Sequence, residues 1–316
     1  MANRAVFVLC GPGGRTRHRS SYGAVGLDLD LLAGPDTVLP FLAGHVREDD
    51  WYPDDMVEAG VLADRERRLL LVFAWEGSIA SPRTRAATLE LLRRAWPGWE
   101  VRWLYDGQSG LRAHLGLPAQ EAESAVYPCP VLDVDDEELD EPDPLVAVVT
   151  VGGDRCHVLA AVEDHPVEEG PALLDRLRGA PDHGSHRLYA DGGVHVDPRR
   201  RRVGRWLTAA RAHARDVAAR RPGWTVEFWE DRWTEHVRAA GGRFAPPVPD
   251  RAAAPADVRG EALERWSGPR ADARARLVAA HPRMAVGQGF APAVSARRAA
   301  DARAVIEAAH GAAASP

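Results

Sequence analysis

The chain has 316 residues, 40 basic and 46 acidic side chains, and a formal net charge of −6. All 40 basic residues are Arg; without Lys there is no Schiff-base lysine, Walker A loop, kinase-type strand lysine or Ser-x-x-Lys acylation dyad. Asn (Asn3 alone) and Ile (Ile79 and Ile306) are depleted alongside abundant Ala, Arg, Gly and Pro, which reads as high-GC bacterial codon usage rather than a functional choice.

The length predicts two or more domains, and the apolar and charged shares, 45% and 27%, suit a folded soluble protein. No apolar run approaches the roughly 18 residues of a membrane span. The N-terminus breaks at Gly11-Pro-Gly-Gly too early for a signal peptide and reads as a first strand. Cys10, Cys129 and Cys156 form no Cys-x-x-Cys pair, which favours reduced thiols and a cytoplasmic address.

In chain order, Val6–Cys10 is an expected strand entering the Gly-rich, Arg-rich loop 11–19. A return strand at 24–30 and a helix at 37–46 follow, then a β-hairpin over 58–73 turned at Asp64. Ser81 and Pro82 open a helix carrying Leu89, Leu92 and Trp96. Pro97-Gly98 stops it, and Trp99, Val101 and Trp103 alternate along a strand before a short helical tail near 111–115. Residues 118–144, with five Pro and the acidic run Asp133–Asp143, have linker composition.

The pattern then recurs. Strand 146–151 enters the turn Gly152-Gly-Asp-Arg155, with a return strand at 157–163 and a helix at 168–178. A hairpin over 191–206 repeats Gly60, Val61, Asp64 and Arg67-Arg68 as Gly193, Val194, Asp197 and Arg200-Arg201. Leu207, Ala210, Ala214 and Val217 keep helical spacing, Pro222-Gly223 repeats the stop, Trp224, Val226 and Phe228 repeat the strand, and 235–240 repeats the helical tail. Beyond Pro246, residues 251–316 predict two or three helices, one at 296–310 with Ala299, Ala302, Ile306 and Ala309 on one face. The expected fold is α+β: two duplicated ββαββαβ halves (1–117 and 145–245) with mainly antiparallel sheets related by a pseudo-twofold, and a helical C-terminal extension.

Few residues point to chemistry. Gly13, Gly14, Arg15, Arg17, His18 and Arg19 combine backbone donors with guanidinium forks, an anion nest for phosphate or carboxylate. The Arg199–Arg202 turn is the densest basic run but lacks stacking aromatics on its loop, so nucleic acid is an unfavoured partner. Cys10 at a strand end has no identified base, and Cys156 and His157 alternate to opposite faces of a strand. Asp182, His183, His186, His195 and Asp197 form a weak metal motif, while Glu163-Asp164-His165 resembles an acid/base cluster. Asp133–Glu138 lacks the spacing of a Ca²⁺ loop, and Asp64 and Asp197 read as turn residues. The sequence therefore favours a bacterial binding or interaction protein with no cofactor and no membrane attachment. Its partner is expected to be a protein or a small anionic ligand. The alternative is an enzyme gripping a phosphate or carboxylate through loop 11–19, and a weaker one binds nucleic acid through Arg199–Arg202.

Overall fold

In the computed structural model, residues 3–53, 56–118, 128–133, 146–160, 165–208, 217–280 and 290–311 are described. The first stretch contains β1 (Ala5–Gly11), β2 (Gly14–Ser20), α1 (Leu27–Leu31), α2 (Pro35–Ala43), β3 (Val46–Arg47), β4 (Ala59–Asp64), β5 (Leu69–Ala74), α3 (Arg85–Ala95), β6 (Glu100–Trp103) and α4 (Gly107–His114). The second contains β7 (Val146–Val151), β8 (Arg155–Ala160), a 3-10 turn (Pro166–Glu169), α5 (Ala172–Leu177), β9 (Gly192–Asp197), β10 (Arg202–Leu207), β11 (Thr225–Phe228) and α6 (Trp233–Ala239). The C-terminal helices are α7 (Ala254–Arg265), α8 (Ala273–Ala280) and α9 (Ala296–Gly311). These elements form two compact units: Met1–Gln120 with Asp250–Pro316, and Glu121–Thr208 with His213–Pro249.

The first unit is a six-stranded sheet ordered β3-β2-β1-β4-β5-β6. Both faces of its central strands are covered, so β4 and β5 are buried along their whole length, as expected of near-continuous apolar runs. One face, bearing Phe7, Val61 and Val72, packs under α1, α2, α3, α7 and α9. The other, bearing Val8, Leu62, Leu71 and Phe73, is closed by Leu111 of α4 and by Trp51 and Tyr52. The C-terminal segment is fastened by charge as well as by apolar area. Buried Asp30 accepts from Arg265 at 2.8 and 3.0 Å and from Arg270 at 3.2 Å, and Trp266 donates to the Leu29 carbonyl.

The second unit is a five-stranded sheet ordered β11-β10-β9-β7-β8. Val149, Val194 and Val203 pack against Val167, Leu173 and Leu177 on one face. Val148, Val158 and Trp206 pack against Phe244 and α6 on the other. Part of the Pro-rich segment belongs to this unit: Val131 bridges Leu159, and the Pro130 carbonyl accepts from Ala160, so the outer edge of β8 is paired.

Local geometry repeats between the units. In each sheet the first strand lies antiparallel to the second and parallel to the first strand of the next hairpin, and the last strand adds parallel to that hairpin. Gly60 faces Phe73 in register and Gly193 faces Trp206. A Cβ on either glycine would sit 2.4 Å from that ring, so glycine is what lets the aromatic lie flat on the strand. Asp64 and Asp197 accept backbone N–H groups across their turns at 3.0 Å, and Arg68 and Arg201 both take left-handed backbone near φ 50°.

Four expectations are corrected. The return strand is Gly14–Ser20, not 24–30, and residues 15–19 are strand rather than loop. Leu27, Leu29 and Leu31 alternate, yet Leu27 and Leu31 share a face of α1 at i, i+4, the spacing the helix uses. The second return strand is Arg155–Ala160, the part of 157–163 beyond Ala160 lying outside the described residues. The sheets are mixed rather than mainly antiparallel, because crossovers through helices bring β4 back parallel to β1 and β6 parallel to β5. The expected helical residues Ala210 and Ala214, the Glu163-Asp164 pair and the acidic run beyond Asp133 lie outside the described residues.

Candidate functional site

Pro12-Gly13 is a two-residue turn between Gly11 and Gly14, which are paired in register, and Gly14 takes φ 95°. From there the two-residue period of β2 separates the candidate residues. Arg15, Arg17 and Arg19 pair with Cys10, Val8 and Val6 and lie on their face. His18 points to the opposite face, where it is buried, contacts the His45 carbonyl through Nδ1 at 3.1 Å and Thr16 Oγ1 through Nε2 at 3.1 Å. His18 therefore does not join the arginines. Gly13 and Gly14 sit exposed at the tip of the turn.

The arginine face continues into an aromatic layer. Arg17 lies over Trp51 at 4.6 Å and Arg112, from α4, over the same indole at 5.2 Å. Arg19 lies over Tyr52 at 5.2 Å and pairs with Glu48. Arg17 Nε donates to the Glu48 carbonyl, whose own N–H donates back to Arg17 O, so this guanidinium is oriented by backbone. Burial holds Arg17 below the usual guanidinium range; Arg15 and Arg112 reinforce that shift, and Asp49 and Asp50 oppose it. Arg15 makes no ion pair among the described residues. Between these groups is a pocket of about 210 Å³, floored by Val8 and Leu115 and walled by Arg15, Thr16, Arg17, Asp49 and Trp51. It is smaller than the roughly 300–1,000 Å³ that takes drug-sized ligands, so it has room only for a small group. It offers forked cationic donors, an indole face and one carboxylate, a set that suits an anionic group attached to a hydrogen-bond donor.

The remaining candidates have structural partners. Cys10 is half-buried, and burial with Asp64 pushes its thiol up, away from a thiolate nucleophile. Cys156 lies in the Trp206 core, while His157 on the opposite face contacts the Pro181 carbonyl through Nδ1. Asp182 accepts from the Cys156 and Gly184 amides, and buried His186 stacks on Phe244. No group of three or more His, Cys, Asp or Glu among the described residues is placed to hold a metal. His165 accepts from the Val167 amide, capping the 3-10 turn. In the basic turn Arg200 pairs with Asp197 and Arg202 with Glu227.

One constellation draws only His195 from the local motifs: Thr150, His195, Trp206 and His236, from β7, β9, β10 and α6. Trp206 Nε1 donates to His236 Nδ1 at 3.0 Å, and Thr150 Oγ1 lies 2.7 Å from His236 Nε2 and 2.9 Å from His195 Nδ1. Burial pushes His236 down to about 3, with His195 adding to the shift. Its four members are spread over 87 residues, so no spacing rule finds it; the signal available was polar residues standing where the matching strands of the first unit are apolar.

The chain matches no protein-family model, no curated protein and no solved structure. No helix among the described residues is long and apolar enough to cross a membrane.

Proposed function

We propose that this is a bacterial cytoplasmic binding protein whose ligand is a small molecule or peptide end bearing a carboxylate or phosphate. The pocket built by Arg15, Arg17 and Trp51 carries the reading. One of its cations is oriented rather than loose, since Arg17 is held between the Glu48 backbone and the Trp51 ring, which lowers the ordering cost on binding. Binding is favoured over catalysis because His18, the imidazole of the segment, lies on the other face of β2 and is not among the residues lining the pocket. Cys10, Cys129 and Cys156 without a disulfide fit a reducing compartment.

We also infer that the two units descend from one duplicated ββαββαβ unit. The shared strand order and pairing senses, the Gly60–Phe73 and Gly193–Trp206 pairs and the left-handed Arg68 and Arg201 support this. The anion pocket is then an elaboration of the first copy, since the turn matching Gly11–Gly14 is Gly152-Gly-Asp-Arg155, which lacks the arginine series. A thermal-shift screen with phosphate, acetate, amino acids and nucleotides tests the binding reading. A stabilising ligand whose effect disappears in Arg17→Ala supports it; equal shifts in parent and variant count against it.

A further inference from the structure

The four-residue chain in the second unit has a direction that elementary chemistry sets. An indole nitrogen only donates, so the Nδ1 of His236 facing Trp206 accepts and the ring proton of His236 sits on Nε2. That proton is given to Thr150 Oγ1, whose own hydroxyl proton then turns to His195 Nδ1. His195 is left with its proton on Nε2, a nitrogen with no hydrogen-bond partner among the described residues. Thr150 and His236 are fully buried, whereas His195 is partly exposed, so the line runs from the core to the surface.

The fold does not need this line. In the first unit Val8 pairs with Leu62 where Thr150 pairs with His195, and Phe73 and Leu111 occupy the positions of Trp206 and His236. Those four are wholly apolar and close the same layer. Replacing a buried polar network by apolar residues of similar size is commonly neutral or stabilising, so packing does not explain why the second unit keeps two histidines and a threonine. Successive hydrogen bonds polarise one another, which makes the last donor stronger than an isolated imidazole, and strong donors pair best with charged acceptors. Gly204, opposite His195 in register, has the Trp229 ring lying against it, which places an indole beside the donor. The charged groups acting on His195 are Asp197 on its own strand and Arg202 on β10, of opposite sign; the neighbouring His236 of α6 is held neutral by burial.

We propose that His195 is the binding group of a second site, in which its neutral Nε2–H, fixed by Thr150, His236 and Trp206, donates to an anionic oxygen of a carboxylate or phosphate.

The test is side-chain ¹H–¹⁵N spectroscopy of the full chain labelled at histidine. At neutral pH, His195 and His236 are both expected in the Nε2–H form. Titration with phosphate, and separately with acetate, at constant ionic strength is expected to move the His195 Nε2 resonance to saturation, and a response to one anion alone assigns the source. Thr150→Val, which frees the ring, weakens that response about tenfold (~1.4 kcal/mol), whereas Thr150→Ser preserves it. A parent His195 protonated at Nδ1 or mixed between tautomers, no saturation with either anion, or equal affinity in Thr150→Val overturns the proposal. Thermal melting gives an independent reading. The combined Thr150→Val, His195→Leu, Trp206→Phe and His236→Leu exchange copies the first unit's layer and is expected to melt no lower than the parent. A variant that folds but melts lower assigns the chain a structural role and also overturns the proposal.

Discussion

His45 and His236 are buried imidazoles kept neutral by the apolar groups around them, pushed down to about 4 and about 3. In the unfolded chain both titrate near 6.5. Their folded values lie below the unfolded one, so the stability they contribute is complete above pH ~6.5 and is lost as pH falls toward 4 and then 3, at up to ~1.4 kcal/mol per pH unit for each proton. Urea denaturation across this range is expected to show a declining midpoint that flattens in His236→Leu; an unchanged slope in that variant contradicts the assignment. Glycines give a sharper contrast at the same scale. A Cβ on Gly204 would lie 1.8 Å from the Trp229 ring, so Gly204→Ala is expected to cost about 1–3 kcal/mol through overpacking. Gly260, inside α7, has nothing within 4 Å, and Gly260→Ala is expected to stabilise by about 0.5–1 kcal/mol. Chemical denaturation of the two variants should move midpoints in opposite directions.

Elements differ in how legible they were, and β2 shows why. Arg-Thr-Arg-His-Arg reads as a polar loop because its outward positions are all charged, yet the guanidiniums of Arg17 and Arg19 lie over Trp51 and Tyr52 and the strand is half-buried through His18 and Ser20. The aromatics that shelter it are some thirty residues away, beyond any local period. By contrast α9 shows its apolar stripe at helical spacing, and Ala299, Ala302, Ile306 and Ala309 are the residues it buries. The hairpins were legible for the same reason, since turn chemistry at Asp64 and Asp197 is local. Polar staples were not, because they join distant segments: Asp30 in α1 meets Arg265 and Arg270 across 235 and 240 residues. Asp30→Ala leaves two guanidiniums facing a buried, unpaired region and is expected to cost about 3 kcal/mol, the lower end for orphaning a buried charge. A urea midpoint within error of the parent would show that the pair contributes nothing.

At the scale of the whole molecule, the chain returns at its end to complete its beginning. Val258, Ala262, Trp266 and Ile306 belong to the same apolar cluster as Phe7 and Val61, so the C-terminal segment completes the cover that α1, α2 and α3 give one face of the first sheet. A chain ending at residue 249 is expected to lose protease resistance in the first unit, the second unit's core lying outside the removed segment; undiminished protection of Val61 and its neighbours in hydrogen exchange would contradict this. The proposed binding site is equally distributed, with β2 supplying Arg15 and Arg17, the following segment Asp49 and Trp51, and α4 the second cation over the indole. Isothermal titration of the best-stabilising carboxylate or phosphate ligand into parent and Arg17→Ala protein tests that site most directly. Saturable binding in the parent, at least about tenfold weaker in the variant (~1.4 kcal/mol), is the expected result. Equal affinity in both proteins would place the ligand elsewhere and contradict the assignment.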